Sequence, residues 1–578
     1  MLRTHNCSSL RKEDVSKTVT LTGWVDTIRN IGSFAFVDLR DRFGKTQIYL
    51  DSQQFEKLNL KNEYCIQVVG KVRERKERNP HLLTGDIEVV ADKVTVFSKC
   101  AVLPFPIQEE INVSEDTRLK YRYLDLRRPN MLNNIILRSK IAQATREFLD
   151  EHDFIEVDTP TLIKSTPEGA RDYLVPSRIY PGSFYALPQS PQLYKQLLMI
   201  SGIDRYYQLA HCYRDEDQRA DRQPEFMQID CEMSFVERED VLNIIEGLLK
   251  HIFKKCIDVT LPDFERISYE DAITKYGSDK PDTRYKLLLN DATDILGDCG
   301  FNAFKDKYVS LLIIENYADK ISRKNMDEDN QLAKKYSVFG FSFIKYLNGE
   351  FSSSIVKNIN HESLEALKNR FAIKENDLLI ICADSKKEKA CVALGALRVA
   401  YANKLKYIDK NVYKPLFVID WPLFEKDDEG HIISLSNPFT RPIDEDLKYL
   451  DSDPTKVRST SYDTVLNGVE LSSGALRIHD SDIQKKIFSL LGLSDEDIKE
   501  RFSFLVEALK YGVPPEGGFG IGVERLAMEL AKVDNVRDVI AFPKNLKAFE
   551  PLSSCPSKVP VEDTDILGIK IVAGDENE

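Results

Sequence analysis

Apolar and polar residues alternate along most of the first 100 residues, a pattern that predicts short β-strands. Residues 17–50 combine this alternation with β-branched and aromatic residues, and turn residues occur at Asn30-Ile31-Gly32 and Phe43-Gly44. Two further strand-like runs follow at 64–76 and 86–99. Five short strands in about 100 residues predict a small β-barrel of the oligonucleotide- or oligosaccharide-binding type.

Two aromatic residues and two polar residues lie close together in this predicted barrel. Phe34 and Phe36 alternate with Ala35, so both rings point to one face, while Arg29 and Gln47 belong to neighbouring strands. Aromatic rings can stack on unpaired bases, and polar side chains can read base edges. The two rings therefore either fill the barrel core or form a surface that binds single-stranded nucleic acid.

The pattern becomes helical after residue 130. Apolar residues at spacings of three and four predict helices at 131–152 and 240–256, and the first runs into a short strand that ends at Pro160. A third predicted helix at 187–199 has Ser190, Gln192 and Lys195 in its first turns. Gln192 and Lys195 are three apart and share a helical face, where they either hold a small amino acid or are ordinary surface residues.

The most unusual stretch is residues 211–230, a charged loop between two apolar, strand-like runs. It predicts a β-hairpin whose loop carries Arg214, Arg219 and Arg222. Guanidinium groups are planar, permanently charged and suited to forked hydrogen bonding with phosphate. Phe226, on the outgoing strand, offers a ring on which a purine can stack. The alternative is a solvated hairpin tip of mixed charge.

The C-terminal half contains two further candidate sites. Asp463 and Glu470 flank an Asn-Gly turn, and both can ligate magnesium that bridges ATP phosphates, or can be simply solvated. Arg477 follows in a run of small residues, where a buried guanidinium needs an anionic partner. We predict that this partner is a substrate carboxylate. Residues 512–533 form a glycine-rich strand that runs into a helix, without a G-x-G-x-x-G or P-loop lysine.

Residues 286–414 differ in character, because they mix acidic and lysine-rich tracts with apolar, strand-like runs. None of their polar clusters has catalytic spacing. We interpret them as an inserted α+β domain.

Composition narrows the class of protein. The 578 residues are 42% hydrophobic and 30% charged, which is typical of globular proteins with a large core. No apolar run approaches the ~18 residues of a membrane span, and the N-terminus has no apolar signal-peptide core, so we expect a cytoplasmic protein.

Ten cysteines without a C-x-x-C pair favour reduced thiols over a zinc site or disulfide bonds. The net charge is −13, yet residues 1–100 hold 17 Lys and Arg against 13 Asp and Glu, which is compatible with a nucleic-acid-binding module.

Three segments taken together resemble the signature motifs of class II aminoacyl-tRNA synthetases, in order. They are the helix and strand at 131–160, the Arg-Asp-Glu…Arg-x-x-Arg-Gln-Pro-Glu-Phe segment of the predicted hairpin, and Gly-x-Gly-x-Glu-Arg within 512–533. The sequences of these segments, together with the barrel segment GWVDTIRNIGSFAFVDLRDRFGKTQ, resemble the bacterial type of aspartyl-tRNA synthetase, a class IIb family. The resemblance covers about residues 1–555.

This resemblance implies an α+β multidomain fold: an N-terminal barrel, an antiparallel sheet of six or seven strands flanked by helices, and an inserted α+β domain. We predict an anticodon-binding barrel at 1–104, a hinge at 105–130, a catalytic domain at 131–285 and 415–555, the insertion at 286–414, and a C-terminal extension at 556–578. The first motif further implies a homodimer.

The resemblance also implies the reaction and its residues. ATP activates L-aspartate to aspartyl-adenylate, with Mg2+ as the metal, and the aspartyl group then moves to the 3′ end of tRNA-Asp; whether tRNA-Asn is charged as well is left open. Arg214 neutralises the α-phosphate, and Arg525 stacks on adenine and reaches the γ-phosphate. The implied ATP-binding residues are Arg214, Glu216, Gln223, Phe226, Gln228, Glu470 and Arg525. Those for aspartate are Glu168, Ser190, Gln192, Lys195, Asp230 and Arg477; those for the metal are Asp463 and Glu470; and those for the anticodon are Arg29, Phe36, Gln47 and Glu88. Phe34 stays predicted as barrel core.

Three positions depart from the family pattern: Ser436 and Asn437 stand where two histidines are common, and Glu516 where one is. Two alternatives remain. An asparaginyl-tRNA synthetase shares the motifs, although a neutral amide would match the Lys195 and Arg477 cations poorly. A non-catalytic tRNA-binding paralogue would be expected to lack a motif arginine or a metal acid, and none is missing.

Overall fold

The computed structural model describes residues 1–166, 170–427 and 429–572. These residues form two compact units. The first contains Met1–Ile135, Ala541–Asn545 and Phe549–Pro556, and the second contains the described residues of Ile136–Ile540, Leu546–Ala548 and Ser557–Glu578. None of the helices in the described part of the chain has the length and apolar character that a membrane span requires.

The first unit is built on a closed five-stranded barrel, as predicted. Its strands are β1 (Thr18–Asn30), β2 (Phe34–Asp41), β3 (Gly44–Asp51), β4 (Cys65–Glu74) and β5 (Ile87–Ser98). The strand order is β1-β2-β3-β5-β4, and antiparallel pairing of β1 with β4 closes the barrel. Alternate residues of each strand, such as Val37 and Leu39 of β2, are fully buried in the interior. Helix α1 (Ser52–Leu58) follows β3.

The prediction that Phe34 lies in the barrel core is wrong. Ala35 and Val37 point inward, so the strand alternation places Phe34 on the outer face together with Phe36. The two ring centroids are 5.1 Å apart, and the Phe34 ring stacks on Tyr49 at 5.3 Å. The outer face therefore carries three aromatic rings.

The predicted hinge residues 105–130 belong to the same compact unit as the barrel. They contain helices α2 (Glu115–Lys120) and α3 (Arg122–Asp125), and α4 (Pro129–Glu151) begins at their end. The buried Asp125 carboxylate accepts ion pairs from Arg122 at 2.5 Å, Arg128 at 2.6 Å and Arg118 at 3.1 Å. Three of the arginines in this segment thus form an ion-pair cluster around Asp125.

The second unit contains a sheet of eight strands in the order β11-β17-β20-β21-β22-β10-β9-β6. The first half of this unit supplies strands β6 (Ile155–Glu156), β7 (Leu174–Pro176), β8 (Phe184–Ala186), β9 (Arg205–Tyr213), β10 (Glu225–Ser234) and β11 (Glu265–Ser268), and helices α5 (Gln192–Ile200), α6 (Arg238–Ile257) and α7 (Tyr269–Asp271). The last part contains β17 (Pro415–Ile419), β18 (Phe424–Lys426), β19 (Ile432–Ser434), β20 (Tyr462–Leu466), β21 (Val469–Leu476) and β22 (Glu516–Gly522), with helices α12 (Ser481–Leu490), α13 (Asp495–Arg501), α14 (Ser503–Ala508), α15 (Val523–Ala531) and α16 (Val561–Ile566). Strands β7 and β8, and strands β18 and β19, form two separate two-stranded sheets.

The sheet is larger than the six or seven antiparallel strands predicted. Its six central strands are antiparallel, but both edge strands pair in parallel: β6 with β9 and β11 with β17. Of these edge strands, β6 is the short strand predicted before Pro160, whereas the four-residue β11 is too short for its alternation to be recognised. One face of the sheet packs against α6, whose apolar stripe is buried from Val241 to Phe253.

The inserted segment has its own sheet and core, as predicted. Its strands are β12 (Leu289–Asp291), β13 (Tyr308–Ile314), β14 (Ser342–Leu347), β15 (Glu350–Ser352) and β16 (Leu378–Asp384), in the order β12-β13-β16-β14-β15. Helices α8 (Thr293–Leu296), α9 (Arg323–Lys335), α10 (His361–Arg370) and α11 (Lys387–Lys404) accompany them.

All ten cysteines of the chain are free thiols.

Candidate functional site

One cavity of about 1080 Å³ in the second unit is bordered by residues from nearly all of its sequence motifs. They come from α5, from the loop and strand that follow β9, from the β20–β21 hairpin, and from β22 with the first turn of α15. The predicted residues that line it are Ser190, Gln192, Lys195, Arg214, Glu216, Gln223, Phe226, Gln228, Asp230, Asp463, Glu470, Arg477 and Arg525. Glu168 lies outside the described residues.

The arginine-rich loop connects β9 and β10, as the sequence predicts. The guanidinium of Arg214 lies over the Phe226 ring, 5.0 Å from its centroid. Such stacking holds the planar cation while its edge stays available for an anion. Arg222 pairs with Glu216 at 2.5 Å, so this arginine has an acidic partner inside the loop.

Arg525 reaches the cavity from the first turn of α15, directly after the glycine-rich strand β22. Its Nη1 donates to the Glu470 carbonyl oxygen at 2.9 Å, and its Nη2 lies 3.3 Å from an Asp221 carboxylate oxygen. Within β22, Gly518 is required by close approach, because a Cβ there would lie 2.0 Å from the Glu232 carboxylate. The strand is glycine-rich partly because acidic side chains of β10 pack across it.

Asp463 and Glu470 occur on a tight hairpin, as predicted. Asn467 and Gly468, at φ +56° and +89°, form the two-residue turn between β20 and β21. Burial, together with the charge of Glu470, raises the pKa of Asp463 to about 8. A cation is already present beside this pair, since Lys280 Nζ lies 3.1 Å from Glu470 Oε2.

Beneath the cavity, two buried cations meet two buried acids. Lys195 Nζ lies 2.7 Å from Asp230 and 3.1 Å from Glu232, and Arg477 binds Glu232 through Nε at 2.8 Å and Nη2 at 3.2 Å. Burial disfavours the charge on Lys195, but the two acids outweigh it and raise its pKa. Because each charge has a partner, the cluster is electrostatically balanced without a ligand.

The buried Arg477 guanidinium therefore has an anionic partner within the chain, Glu232, which the sequence did not identify. Binding of a substrate carboxylate by Arg477 stays a prediction. The two residues are 245 positions apart, and only the pairing of β10 and β21 with β22 brings them together. Because Lys195 and Arg477 both have acidic partners within the chain, a neutral substrate would not leave them unpaired. Their charges therefore do not disfavour asparagine as the substrate.

The three departures from the family pattern lie in the second unit. Ser436 and Asn437 line the cavity; the hydroxyls of Ser436 and Ser461 are 2.9 Å apart, and the Asn437 side-chain oxygen accepts from the Phe439 amide at 3.0 Å. Glu516, on β22, is buried. Burial and then the charge of Glu232 raise its pKa well above the usual range.

On the barrel, the four predicted nucleic-acid-binding residues are neighbours. Arg29 donates to the Gln47 side-chain oxygen at 2.7 Å, the Gln47 amide donates to Glu88 at 2.6 Å, and the Arg29 guanidinium lies 5.8 Å from the Phe36 ring centroid. The hydrogen bonds fix the orientation of the Gln47 amide. The barrel thus presents an aromatic face beside a preorganised polar network.

Sequence reasoning missed several residues at both sites. Arg75 also donates to Gln47 at 2.6 Å, and Arg73 pairs with Glu88 at 2.7 Å while lying over the Tyr49 ring. Arg73 lies in β4 and Arg75 directly follows that strand, two positions on; Glu232 likewise follows the predicted Asp230 by two positions in β10. The two-residue period of a strand could therefore have pointed to these residues. Lys280 had no comparable signal.

Two family models match the chain. The model described as tRNA synthetases class II (D, K and N) matches residues 114–546, and one described as an OB-fold nucleic acid binding domain matches residues 19–97. An aspartate–tRNA(Asp/Asn) ligase from Caldanaerobacter subterraneus is 48% identical, with 98% of each chain covered. An aspartate–tRNA ligase from Lactobacillus johnsonii is 47% identical, covering 98% of this chain and 94% of that one.

Solved structures support the same fold. Asparaginyl-tRNA synthetase from Pyrococcus horikoshii, complexed with asparaginyl-adenylate, aligns with a TM-score of 0.59 at 20% identity, covering 94% of this chain and 98% of that one. A putative aspartyl-tRNA synthetase from Leishmania major aligns with a TM-score of 0.58 at 21% identity, covering 94% and 93%. At this identity the likeness concerns the fold alone. The family match and the full-length relatives confirm the family inferred from the motifs: the chain belongs to the class II tRNA synthetases of the aspartate, lysine and asparagine group.

Proposed function

We propose that the chain is an aspartate–tRNA ligase that activates L-aspartate with ATP and transfers it to the 3′ end of tRNA-Asp. The observation that carries this proposal is the convergence of the predicted ATP, aspartate and metal residues on one cavity. Both relatives are named as aspartate ligases, and each aligns with 98% of this chain. Their names therefore support aspartate as the amino acid.

In the first step, an α-carboxylate oxygen of aspartate attacks the α-phosphorus of ATP, and pyrophosphate leaves. The protein contributes placement and charge neutralisation rather than covalent chemistry. Arg214 neutralises the α-phosphate and Arg525 the γ-phosphate. Phe226, with Glu216, Gln223 and Gln228, holds the nucleotide.

Aspartate is proposed to bind beside the buried cation–acid cluster. Arg477 uses Nε and Nη2 for Glu232, so its Nη1 is the donor we assign to the substrate's side-chain carboxylate. Lys195 and Asp230 support the same end, with Ser190 and Gln192 at the start of α5. Glu168 is assigned to the substrate ammonium group by resemblance alone.

Magnesium is the proposed metal, held by Asp463 and Glu470. The fit rests on donor chemistry, because two neighbouring carboxylates supply the oxygen ligands that this ion prefers. The Lys280 ammonium already lies against Glu470, which indicates that the pair favours positive charge. When bound, magnesium neutralises phosphate charge.

In the second step, the 3′ hydroxyl of the tRNA's terminal adenosine takes the aspartyl group and AMP leaves. The barrel face with Arg29, Phe36, Gln47 and Glu88 is proposed to read the anticodon. The relatives' names include both tRNA-Asp and tRNA-Asn as acceptors, so tRNA-Asn is tested as a second substrate. We further propose a cytoplasmic homodimer; exposed apolar side chains near the first motif, such as Ile155 and Leu162, support an interface there.

Replacing Phe36 by alanine is expected to raise the KM for tRNA about tenfold, because stacking of one base on an aromatic ring contributes about 1–3 kcal/mol. Aspartate-dependent pyrophosphate exchange needs no tRNA and should be unchanged. Phe97→Ala, which removes an exposed ring from the same barrel, is the control. An equal loss in exchange and charging would assign Phe36 to folding rather than to tRNA.

The proposed function is tested by ATP–pyrophosphate exchange with aspartate, asparagine and lysine offered separately. We expect exchange with aspartate alone. Exchange with asparagine in its place would make the chain an asparaginyl enzyme, and absence of exchange with all three would favour a non-catalytic tRNA-binding protein.

A further inference from the structure

Lys280 lies in the nucleotide cavity, although nothing in its local sequence marks it as functional. It lines the same cavity as Arg214 and Arg525. Its Nζ is 3.1 Å from Glu470 Oε2, while Arg525 Nη1 is 4.0 Å from Glu470 Oε1. The Glu470 carboxylate is therefore flanked by a cation on each side.

The backbone that carries Lys280 is held tightly at its start. Gly277, at φ +65°, packs directly on α11 of the inserted segment, where a Cβ would lie 2.5 Å from Gly395 Cα. The reverse contact is as close, since a Cβ on Gly395 would lie 2.3 Å from the Gly277 carbonyl oxygen. Neither position can carry a side chain without moving this segment.

The same backbone is also held after Lys280. The buried Arg398 of α11 donates to the carbonyl oxygens of Asp282, at 2.8 Å, and Leu287. Arg284 pairs with Asp282 and donates to the Asn467 carbonyl oxygen at 3.4 Å, in the turn of the hairpin that carries Asp463 and Glu470. Lys280 is thus attached to a fixed loop rather than to a mobile surface segment.

An exposed lysine pair contributes little and needs no functional explanation. Lys280 differs because it is partly buried inside a cavity built for a polyanion. Its ammonium lies 3.1 Å from a Glu470 carboxylate oxygen and 3.4 Å from an Asp279 carboxylate oxygen. A charged ammonium in this position can move from a carboxylate to a phosphate without crossing solvent.

We propose that Lys280 is a phosphate-binding residue for the pyrophosphate part of ATP. Its ammonium, which pairs with Glu470 in this structure, contacts the β- and γ-phosphates when the nucleotide binds. The inference rests on the proposed function and deepens it. It assigns a third cation to the leaving group, beside Arg525 and the proposed magnesium. It also gives the inserted segment a role, because α11 fixes the loop that carries Lys280.

The test compares ATP with AMP, which lacks the β- and γ-phosphates. Calorimetry on the full chain at one fixed magnesium concentration should show that Lys280→Met raises the Kd of ATP about ten- to a hundredfold, as expected for loss of a charged hydrogen bond. The Kd of AMP should be unchanged. Lys280→Arg keeps the cation and should retain most of the ATP affinity. Lys275→Met, which removes an exposed lysine paired with Asp271, is the matched control and should bind ATP normally.

Equal weakening of ATP and AMP binding would make Lys280 structural and would overturn the inference, as would unchanged binding of both. A wild-type chain that binds no ATP would overturn the proposed function together with this inference. The two failures are therefore distinguishable.

Discussion

Replacing Arg214 by alanine lowers the rate of aspartate-dependent pyrophosphate exchange by about a hundred- to a thousandfold, the range expected when one preorganised transition-state donor is lost. Negative charge increases on the α-phosphate as the aspartate oxygen attacks, and Arg214 is the cation we assign to it. Its stacking on Phe226 orients the guanidinium before substrate arrives. The loss should appear in kcat rather than in KM for aspartate, because the interaction strengthens in the transition state.

Arg370→Ala provides the matched control for this prediction, since it removes an exposed arginine of the inserted segment that pairs with Asp294. It should exchange pyrophosphate at the wild-type rate. An Arg214→Ala chain that remains folded and keeps more than about a tenth of the wild-type rate would contradict the role given to Arg214.

Replacing Arg477 by methionine is expected to lower the free energy of unfolding of the second unit by about 3–5 kcal/mol, because it leaves a buried carboxylate without one of its partners. Glu232 would keep only Lys195, which Asp230 also needs. Urea unfolding can be followed for this unit alone on a Trp24→Phe background, in which Trp421 is the remaining tryptophan of the two in the chain.

The double variant Arg477→Met/Glu232→Gln distinguishes the stability lost with the ion pair from the stability lost by leaving the buried Glu232 carboxylate without Arg477. It removes both members of the pair, so it should unfold at a higher urea concentration than Arg477→Met alone. A single variant within about 1 kcal/mol of the parent would show that the pair behaves like an exposed one and would contradict the balanced cluster.

Local patterns predicted much of the fold. The Asn-Gly turn specified the β20–β21 hairpin, and the alternation of residues 17–99 specified the barrel, because both depend on near neighbours. The edge strand β11 was missed, since it has only four residues. Phe34 was misplaced because it was predicted as barrel core and Phe36 as an anticodon-binding residue. Residues two positions apart on a strand lie on the same face, so both predictions cannot hold.

The site could be predicted as far as its motifs extend, and no further. Arginines, acids and glycines in three segments were sufficient to name the residues that line the cavity. The pairing of Arg477 with Glu232 and the contact of Lys280 with Glu470 depend on long-range packing, which no local spacing encodes. Those contacts decide which charges are already neutralised and therefore which remain for substrate.

Charging of purified tRNA-Asp and tRNA-Asn transcripts with radiolabelled aspartate, with asparagine as the control amino acid, tests the aspartate–tRNA ligase activity directly. We expect aspartate to be attached to tRNA-Asp and asparagine to be attached to neither transcript. Aspartate on both transcripts would extend the acceptor range, as some relatives' names do. No aspartate on either transcript, from a folded chain that binds ATP, would contradict the assignment.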